Sequence, residues 1–338
     1  MIITVVATIL ILGLLIFFHE LGHFLAAKSS DVYVEEFALG MGPILFSKQK
    51  GETLYSLRAI PIGGFVRMIG EDPEDEDDPR SLNRKTPLTR IFISIAGVVA
   101  NIIVAIVIFS LIFMIQGVPS SEPVIGDILV DGPAEQAGLL PGDIITNIDG
   151  NAVEEWTDIT GHVRPYPNQS KVFTITRNGT EMEFNVQIGL DESTNDGLIG
   201  ISSTSERSNI FSSIKNGFVQ TFSLIIMIFV ALGSIFTGSS AVQGAGPVGI
   251  AQLVGEVTRT GLINTLSFTA MLSVNVGIFN ALPIPPLDGS RILLIIVEVI
   301  RGKPIDPKKE NLIYLIGFAL LITFAVVITY QDILRLGQ

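Results

Sequence analysis

Long apolar runs separated by polar segments are the main pattern in this chain of 338 residues. Four runs are long enough to cross a bilayer as helices, which takes about 20 residues. They are 2–18 (which continues through a short polar motif to Ala27), 91–115, 262–282 and 312–330. A fifth run, 218–237, fits either a span or a helix lying at the membrane. The pattern predicts a polytopic α-helical membrane protein with four spans.

Basic residues are distributed unevenly among the polar segments. Segment 28–90 carries nine Lys or Arg and 291–310 carries five, whereas the longer segment 117–217 also has only five. Because cytoplasmic segments are enriched in Lys and Arg, the first two are predicted to be cytoplasmic and the third extracytoplasmic. Four spans place both basic segments on one side, and a fifth full span would separate them. We therefore interpret 218–237 as a helix in or on the membrane, or as a re-entrant segment.

The polar segments have patterns of their own. Residues 71–78 hold seven acidic side chains in eight positions, which is typical of a solvated, disordered linker. Residues 32–70 mix β-forming residues with Gly and Pro and predict short strands and hairpins. Residues 122–190 predict a small α+β domain. Its elements are strands at 124–130 and 143–150, helices at 133–138 and 156–163, and a hairpin over 171–188 that turns at Asn178-Gly179, a pair suited to a type I′ turn.

Composition narrows the possible chemistry. Charged residues make up 16% of the chain, below the roughly 25% of soluble proteins, which agrees with several membrane spans. There is no cysteine, so disulfides, thiolate catalysis, iron–sulfur clusters and cysteine zinc sites are excluded. The net charge of −12 argues against a nucleic acid partner. Any metal must be bound by Asp, Glu or one of three histidines.

The first span contains the sequence HELGH at positions 19–23. Residues four apart lie on one face of a helix, so His19 and His23 can reach the same metal ion. Glu20 projects about 100° away, where it can accept a proton from water instead of binding the ion. Zinc favours such sites, with three protein ligands. A cleaved signal peptide is the alternative, but a basic n-region is missing, and ionisable groups in an apolar helix indicate function.

A third ligand is needed, and the sequence offers two candidates. His162 lies in the predicted external domain, far from the first span by topology. Asp288 follows the third span, after three prolines in four positions (283, 285 and 286) that break the helix. Such a break is tolerated at membrane depth where it lines a cavity. Asp288 is therefore favoured, with a helix N-cap for 290–300 as its alternative role.

These motifs resemble the site-2 protease family of intramembrane zinc metalloproteases, in particular its bacterial regulator of sigma-E protease group. HExxH in the first span paired with NxxPxPxLDG at 280–289 is the most specific part of the resemblance, which covers nearly the whole chain. Further matches are GPVGI at 246–250, GGFV at 63–66 in the region of the family's membrane-associated β element, and a PDZ-like pattern over 132–143. One departure is Ser290, where many relatives have a second glycine.

The resemblance implies a fold class, namely a polytopic α-helical membrane protein with four spans, a small inserted α+β PDZ-like domain and a membrane-associated β-hairpin region. The implied order is a first transmembrane helix (1–28), a cytoplasmic-side β region and acidic linker (29–90), a second transmembrane helix (91–116), an extracytoplasmic PDZ-like domain (117–205), membrane-peripheral or re-entrant helices (206–261), and the third and fourth transmembrane helices with the LDG motif (262–338).

The resemblance also implies roles for individual residues. One Zn²⁺ per chain would be bound by His19, His23 and Asp288, with Glu20 as the general base. Asn280 and Asn275 would hydrogen-bond the backbone of the substrate, although packing between helices is an alternative for both. A transmembrane helix must be unwound before it is cut, and strand edges can then pair with it. The family's β element implies that segment 54–69, including Gly63, Gly64 and Phe65, supplies such an edge.

The implied activity is hydrolysis of peptide bonds within transmembrane segments. The implied substrates are trimmed single-span membrane proteins, such as anti-sigma factors, or remnant signal peptides. The implied location is the bacterial cytoplasmic (inner) membrane, with the lipid bilayer as a partner and the PDZ-like domain outside. That domain has two interpretations: a filter that excludes untrimmed proteins, which we favour, or a module that captures trimmed C-termini. Deleting 122–190 separates them, because a filter predicts faster cleavage of full-length substrates.

Two other classes of function remain at this stage. A catalytically inactive membrane scaffold could bind partners through the PDZ-like domain, but the intact HExxH and Asp288 argue against it, and metal content discriminates. A transporter could also use broken helices and intramembrane polar groups. Inverted repeats would favour a transporter, and residues 1–27 and 262–282 are not similar halves.

Overall fold

The computed structural model describes residues 2–70, 78–191, 195–206, 208–236, 246–303 and 305–336. The chain divides into two compact units, Met1–Ile112 with Ile214–Gln338, and Phe113–Ser213. The first unit contains the long helices, and the second is inserted between two of them in sequence. Most of the predicted acidic linker, 71–77, lies outside the described residues.

Long helices make up most of the first unit. With elements numbered along the whole chain, they are α1 (Ile2–Ser29), α2 (Pro87–Gln116), α5 (Ile210–Phe236), α6 (Pro247–Val257), α7 (Leu262–Ala281), α8 (Asp288–Arg301) and α9 (Pro307–Leu336). Within the described residues, five helices are long and apolar enough to cross a membrane, namely α1, α2, α5, α7 and α9. Four of these coincide with the four predicted spans. The protein is therefore a helical membrane protein with one candidate span more than the sequence predicts.

Helix α5 is the additional candidate, and it contains most of the predicted segment 218–237. The sequence analysis predicts a membrane-peripheral or re-entrant segment there, whereas α5 is an uninterrupted helix of 27 residues. A helix of that length rises about 40 Å, which is enough to cross the hydrocarbon core. The prediction was too short because the first two turns of α5, 210–217, contain Ser, Lys and Asn and do not belong to the apolar run.

Helices α1 and α2 pack side by side and run in opposite directions. Near the C-terminal end of α1, the Nδ1 atom of His23 lies 2.8 Å from the carbonyl oxygen of Ile93, early in α2. One turn earlier in α1, His19 lies beside Asn101, two turns later in α2. The order of contacts is therefore reversed between the two helices.

Helix α7 packs on α2 in the same reversed manner. The Ser273 hydroxyl donates a hydrogen bond of 2.8 Å to the backbone carbonyl of Asn101. One turn later in α7, Gly277 lies against Val98, where an added Cβ would be 3.3 Å from the carbonyl oxygen. Because α7 is antiparallel to α2, it runs in the same direction as α1.

Helix α6 begins in the GPVGI segment and lies near the N-terminal end of α1. The backbone N–H of Gly249 donates to the Asp332 carboxylate of α9 (2.8 Å), which holds the first turn of α6. Near the other end of α6, Gly255 is so close to Thr4 that an added Cβ would lie 2.5 Å from the threonine methyl group. The start of α7 at Leu262 follows directly, so α7 begins near the N-terminal end of α1.

Strands β1 (Val34–Lys50) and β2 (Thr53–Met68) form an antiparallel sheet in the first unit. They are longer than the short strands predicted for 32–70, and bulges interrupt their register. Residues 36–39 of β1 lie opposite two parts of β2, 54–57 on one side and 64–67 on the other. Segment 64–68 is therefore an edge of this sheet within the described residues.

A buried charge pair holds that sheet together. The carboxylate of Glu36 accepts hydrogen bonds from the Ser56 hydroxyl (2.5 Å) and from the Arg58 guanidinium (2.7 Å). Burial by itself raises the pKa of Glu36, but these two donors outweigh it and hold the pKa below its ordinary value. Arg58 also lies over the ring of Phe65, 4.9 Å from its centroid, and so links the pair to the edge segment.

The second unit is a small α+β domain. Its elements are β3 (Val118–Pro119), β4 (Ile125–Ile128), α3 (Pro133–Ala137), β5 (Ile144–Ile148), β6 (Asn151–Ala152), α4 (Trp156–Val163), β7 (Ser170–Arg177), β8 (Thr180–Gln187), β9 (Gly189–Leu190), β10 (Gly197–Leu198), β11 (Ile201–Ser203) and β12 (Ser205–Glu206). The largest sheet has the order β6-β5-β7-β8. Its core includes Phe173, Ile148 and Leu139. The predicted strands and helices are confirmed, and both Asn178 and Gly179 have positive φ, as a type I′ turn requires.

Candidate functional site

The two histidines of HELGH lie on one buried face of α1. His19 and His23 are each 7% exposed, and their Nε2 atoms are 3.3 Å apart. They lie in the C-terminal half of an uninterrupted helix, so the spacing of four residues puts both side chains on the same side. Two imidazoles held this way point their Nε2 lone pairs at one position.

Asp288 joins them from a distant part of the sequence. Helix α7 ends at Ala281, and α8 begins at Asp288 after the proline-containing turn. The Oδ2 atom of Asp288 lies 3.0 Å from Nε2 of His19 and 3.2 Å from Nε2 of His23. The alternative role of Asp288 as an N-cap is wrong, because Leu287 is the N-cap residue and no side chain caps the helix.

The three ligand atoms fit a zinc ion. Tetrahedral coordination at zinc–nitrogen and zinc–oxygen distances of 2.0–2.1 Å puts neighbouring ligand atoms about 3.3 Å apart. The three distances between Nε2 of His19, Nε2 of His23 and Oδ2 of Asp288 are 3.3, 3.0 and 3.2 Å. Two imidazoles and one carboxylate also form a donor set that zinc prefers, and a fourth position remains for water or substrate.

The backbone around Asp288 explains the glycine of the LDG motif. An added Cβ at Gly289 would lie 2.1 Å from the carbonyl oxygen of Ala281 and 2.5 Å from that of Leu282. Only glycine lets the start of α8 pack this tightly on the end of α7. The turn itself rests on α9, where Gly317 leaves room for the backbone of Pro285. Gly289 and Gly317 thus help to position Asp288, a role that the pattern of possible metal ligands in the sequence does not indicate.

Gly97 of α2 is a further position that the sequence analysis missed. An added Cβ there would lie 2.3 Å from Nε2 of His23 and 2.8 Å from Cε1 of His19. A side chain at this position would overlap the imidazoles at the atoms that face the metal position. The signal was available, since Gly97 is the one glycine in the second predicted apolar run, 91–115.

Glu20 lies beside the edge of the sheet. It lines the same cavity as the two histidines, and an added Cβ at Gly64 would lie 2.9 Å from its Cγ. Because Gly64 has no side chain, the backbone of β2 approaches the carboxylate closely. The arrangement puts a carboxylate that is not among the three clustered ligand atoms next to both the metal position and a strand edge.

One cavity of about 490 Å³ contains these groups. Its wall includes the predicted substrate-binding residues Gly63, Gly64, Phe65 and Asn280. The Asn280 amide donates to the Val276 carbonyl (2.9 Å) in its own helix. Other residues of the wall are Arg67, Met68, Ile93, Arg291 and Tyr314.

The remaining candidates lie elsewhere. Asn275 is not part of the cavity wall as far as the described residues define it, and its amide donates to the Met271 carbonyl (3.0 Å). This bond lies within α7, so it supports neither contact with substrate nor packing between helices. His162 belongs to α4 of the second unit, whereas the three clustered side chains of the first unit that could bind a metal ion are His19, His23 and Asp288.

Comparison with known proteins shows the family of this chain. A model of peptidase family M50 matches residues 7–324. The chain is 34% identical to the zinc metalloprotease RasP of Geobacillus kaustophilus, with 98% of this chain and 97% of that protein covered. It is 37% identical to a putative zinc metalloprotease of Clostridium acetobutylicum, with 97% of each covered. It is 33% identical to the regulator of sigma-W protease RasP of Bacillus subtilis, with 98% and 99% covered.

One similar solved structure covers about a quarter of the chain. The PDZ domain of the SdrC-like protein of Listeria monocytogenes is 20% identical over 25% of this chain and 90% of that one, with a TM-score of 0.23. This score carries no argument about the inserted domain. That the domain is PDZ-like therefore stays a prediction from the sequence.

Proposed function

The chain belongs to peptidase family M50 and is a zinc metalloendopeptidase, and from this premise we propose that it cleaves peptide bonds within the membrane. The proposed substrates are transmembrane segments of single-span membrane proteins that another protease has already trimmed. The observation that carries the proposal is the meeting of His19, His23 and Asp288 with Glu20 in one cavity. Two of the helices that build this cavity, α1 and α7, are long and apolar enough to lie in lipid.

In this proposal His19, His23 and Asp288 hold the zinc ion, and Glu20 is the general base. The zinc ion, when bound, polarises the scissile carbonyl and makes water a stronger acid. Glu20 accepts a proton from the attacking water and then donates it to the leaving amine. Its position beside Gly64 puts this proton transfer next to the edge of β2.

The strand edge is the proposed holder of the substrate backbone. A transmembrane helix satisfies its own backbone hydrogen bonds, so a protease must unwind it, and the freed groups then need new partners. Residues 64–67 of this edge line the cavity and pair with β1 along one side, and no other strand pairs with them within the described residues. We propose that the substrate pairs there as an added strand, with Asn280 on the opposite wall.

The name of one relative suggests a regulatory role. The Bacillus subtilis relative is named a regulator of sigma-W protease. By analogy, anti-sigma factors are the first substrates to test for this chain, and remnant signal peptides are the second. We propose a location in the bacterial cytoplasmic membrane with the inserted domain outside, which is the arrangement that the positive-inside rule favours. We propose a size-filtering role for that domain, because its sequence has no clear carboxylate-binding loop.

The test is Glu20→Gln in detergent-purified full-length protein, with zinc content and cleavage of a single-span substrate both measured. We expect about one zinc per chain to be retained, because Glu20 is not a ligand. Turnover should fall by about 10²-fold or more, which is typical for loss of a general base. Glu181→Gln, an exposed change in β8, is the matched control and should leave both values unchanged.

Three results would contradict the proposal. Turnover retained in the Glu20→Gln variant would remove the general base from the mechanism. Folded wild-type protein without zinc would favour the scaffold alternative, in which the inserted domain binds partners and no bond is cut. Asp288→Ala should lose zinc, and if it does not, the three-ligand site is wrong.

A further inference from the structure

Helix α2 presents three positions, spaced by four residues, to the two histidines. Residues 93, 97 and 101 therefore share one face of the helix. At 93 the backbone carbonyl oxygen lies 2.8 Å from Nδ1 of His23, and at 97 the missing side chain makes room for both imidazoles. At 101 the Asn101 amide lies 3.4 Å from Nδ1 of His19. Each histidine thus has a neighbour on α2 at the ring nitrogen that points away from the metal position.

That second ring nitrogen decides which form of the imidazole is present. A neutral imidazole has one N–H and one lone pair, so a histidine that offers Nε2 to a metal carries its proton on Nδ1. For His23 the carbonyl of Ile93 can only accept, which fixes the required form. His19 needs an equivalent acceptor, and the side-chain group beside its Nδ1 in the described structure is the amide of Asn101.

The surroundings of Asn101 leave its amide free for this role. The residue is fully buried (0% exposed), and its Oδ1 atom has no hydrogen-bond partner among the described residues. Three asparagines of α7 use their amides differently, since each donates to the carbonyl four residues earlier. They are Asn264, Asn275 and Asn280. No bond of that kind competes for the Asn101 amide in the described structure, and turning it about its axis brings Oδ1 to His19.

We propose that Asn101 is a positioning residue for the zinc site. Its amide oxygen accepts a hydrogen bond from Nδ1–H of His19 and so keeps the Nε2 lone pair directed at the ion. Outer partners of this kind typically change metal affinity by 10- to 100-fold when they are removed. The inference rests on the proposed ligand set of His19, His23 and Asp288, and it adds a residue that does not touch the ion.

The test is the zinc affinity of full-length protein in detergent, measured by competition with a chelator. Asn101→Leu keeps the size of the side chain and removes the acceptor, and we expect 10- to 100-fold weaker binding. Asn101→Asp restores an acceptor and should bind within about threefold of wild type, since carboxylates serve in the same role. Asn264→Leu, a change of the same type at an exposed position, should have no effect.

Thermal unfolding of the metal-free protein separates positioning from packing. A positioning role predicts that Asn101→Leu and Asn101→Asp differ in zinc affinity even where their melting temperatures agree. If Asn101→Leu does not fold, Asn101→Ala replaces it in the same comparison. Equal affinity of the Leu and wild-type proteins would overturn the inference, as would equal weakening of the Leu and Asp variants. Failure of wild type to bind zinc, or no loss in Asp288→Ala, would refute the ligand set instead.

Discussion

The inserted domain and the helical unit distribute polar and apolar side chains in opposite ways. In the inserted domain Phe173 and Ile148 are completely buried, and the buried carboxylate of Asp143 is paired with Arg177. In the helical unit His19 and His23 are buried, together with Asn101, Ser273 and Ser290. Its large apolar side chains are widely exposed, including Ile3, Leu10, Ile103, Val107, Leu315 and Leu320.

The difference shows what holds each region together. The inserted domain is stabilised by burying the apolar side chains of its core away from water. This burial contributes about 25 cal/mol to the free energy of folding for each Å² of apolar surface. Helices in lipid gain nothing comparable by burying apolar side chains, so close packing of small residues and hydrogen bonds between helices hold them. Gly22 against Ala96 and Ser273 against Asn101 are contacts of these two kinds. The interior of the helical unit can therefore contain polar side chains that are able to bind a metal ion.

The largest expected effect comes from adding one methyl group in each region. Gly97→Ala should abolish zinc binding and activity, because the new Cβ overlaps the imidazole of His23. Gly161→Ala in α4 meets no atom within 4 Å and removes a glycine from a helix, which should stabilise the inserted domain by up to about 1 kcal/mol. Zinc content and thermal unfolding of both variants check this. Normal zinc content in Gly97→Ala would mean that α2 can move away from the histidines.

The next effect concerns the core of the inserted domain. Phe173→Ala should destabilise that domain by about 3–5 kcal/mol, since it leaves a cavity in a tightly packed core. Trp156 is the only tryptophan of the chain and packs against this core, so its fluorescence follows unfolding of the domain in the full-length protein. Zinc content should not change. If the domain is a size filter, its unfolding should also speed cleavage of untrimmed substrates, and slower cleavage would support capture instead.

The smallest expected effect is a pH dependence confined to the inserted domain. Burial alone raises the pKa of Asp143, but the Arg177 guanidinium (2.7 Å) and the Leu140 N–H outweigh it and lower the pKa below its ordinary value. A lowered pKa in the folded state contributes stability above the unfolded pKa of about 3.9 and loses it as the pH falls through the folded pKa. Trp156 fluorescence in denaturant should therefore show stability falling below about pH 4.

The matched variant for this pH dependence is Arg177→Ala. Without the guanidinium the pKa of Asp143 should rise towards or above its ordinary value, because burial is then opposed only by the Leu140 N–H. Loss of a hydrogen bond to a charged group should lower the free energy of unfolding at neutral pH by about 1.5–3 kcal/mol. An unchanged acid transition in Arg177→Ala would assign the acid sensitivity to other carboxylates.

Local patterns in the sequence predicted much of this molecule. Periodicity and turn residues predicted β4, α3, β5, α4, β7 and β8 of the inserted domain, because these elements and the Asn-Gly turn depend on neighbours in sequence. The two- and three-residue strands β3, β6 and β9 to β12 were not predicted. The HELGH motif identified its two histidines for a similar reason, because residues four apart in one helix lie on the same face. Asp288 was favoured over His162 because it follows a proline-containing helix break that can line a cavity at membrane depth, whereas His162 lies in the predicted external domain. The roles of these residues still await the experiments above.

Packing partners distant in sequence were not predictable from a single chain. Gly97 stands out as the one glycine of the run 91–115. That it faces the imidazoles, and that Asn101 is the neighbour of His19, depends on the register between α1 and α2, which the sequence does not show. The length of α5 was missed for a simpler reason, since polar residues in its first turns interrupted the apolar run. Residues 36–39 of β1 pair with two parts of β2, and this pairing depends on bulges whose positions cannot be predicted from amino-acid composition.

The shared direction of α1 and α7 has a consequence for how often the chain crosses the membrane. A chain that starts two parallel spans from the same face must make an even number of crossings from the start of the first span to the start of the second. Helix α1 ends on the face where α2 begins, so these two helices supply two crossings. The segment between α2 and α7 must therefore make an even number of crossings. Helix α6, about 16 Å long, cannot cross alone. Helix α5 therefore does not cross the membrane unless the chain crosses back before α7. In either case the basic segments 28–90 and 291–310 face the same compartment.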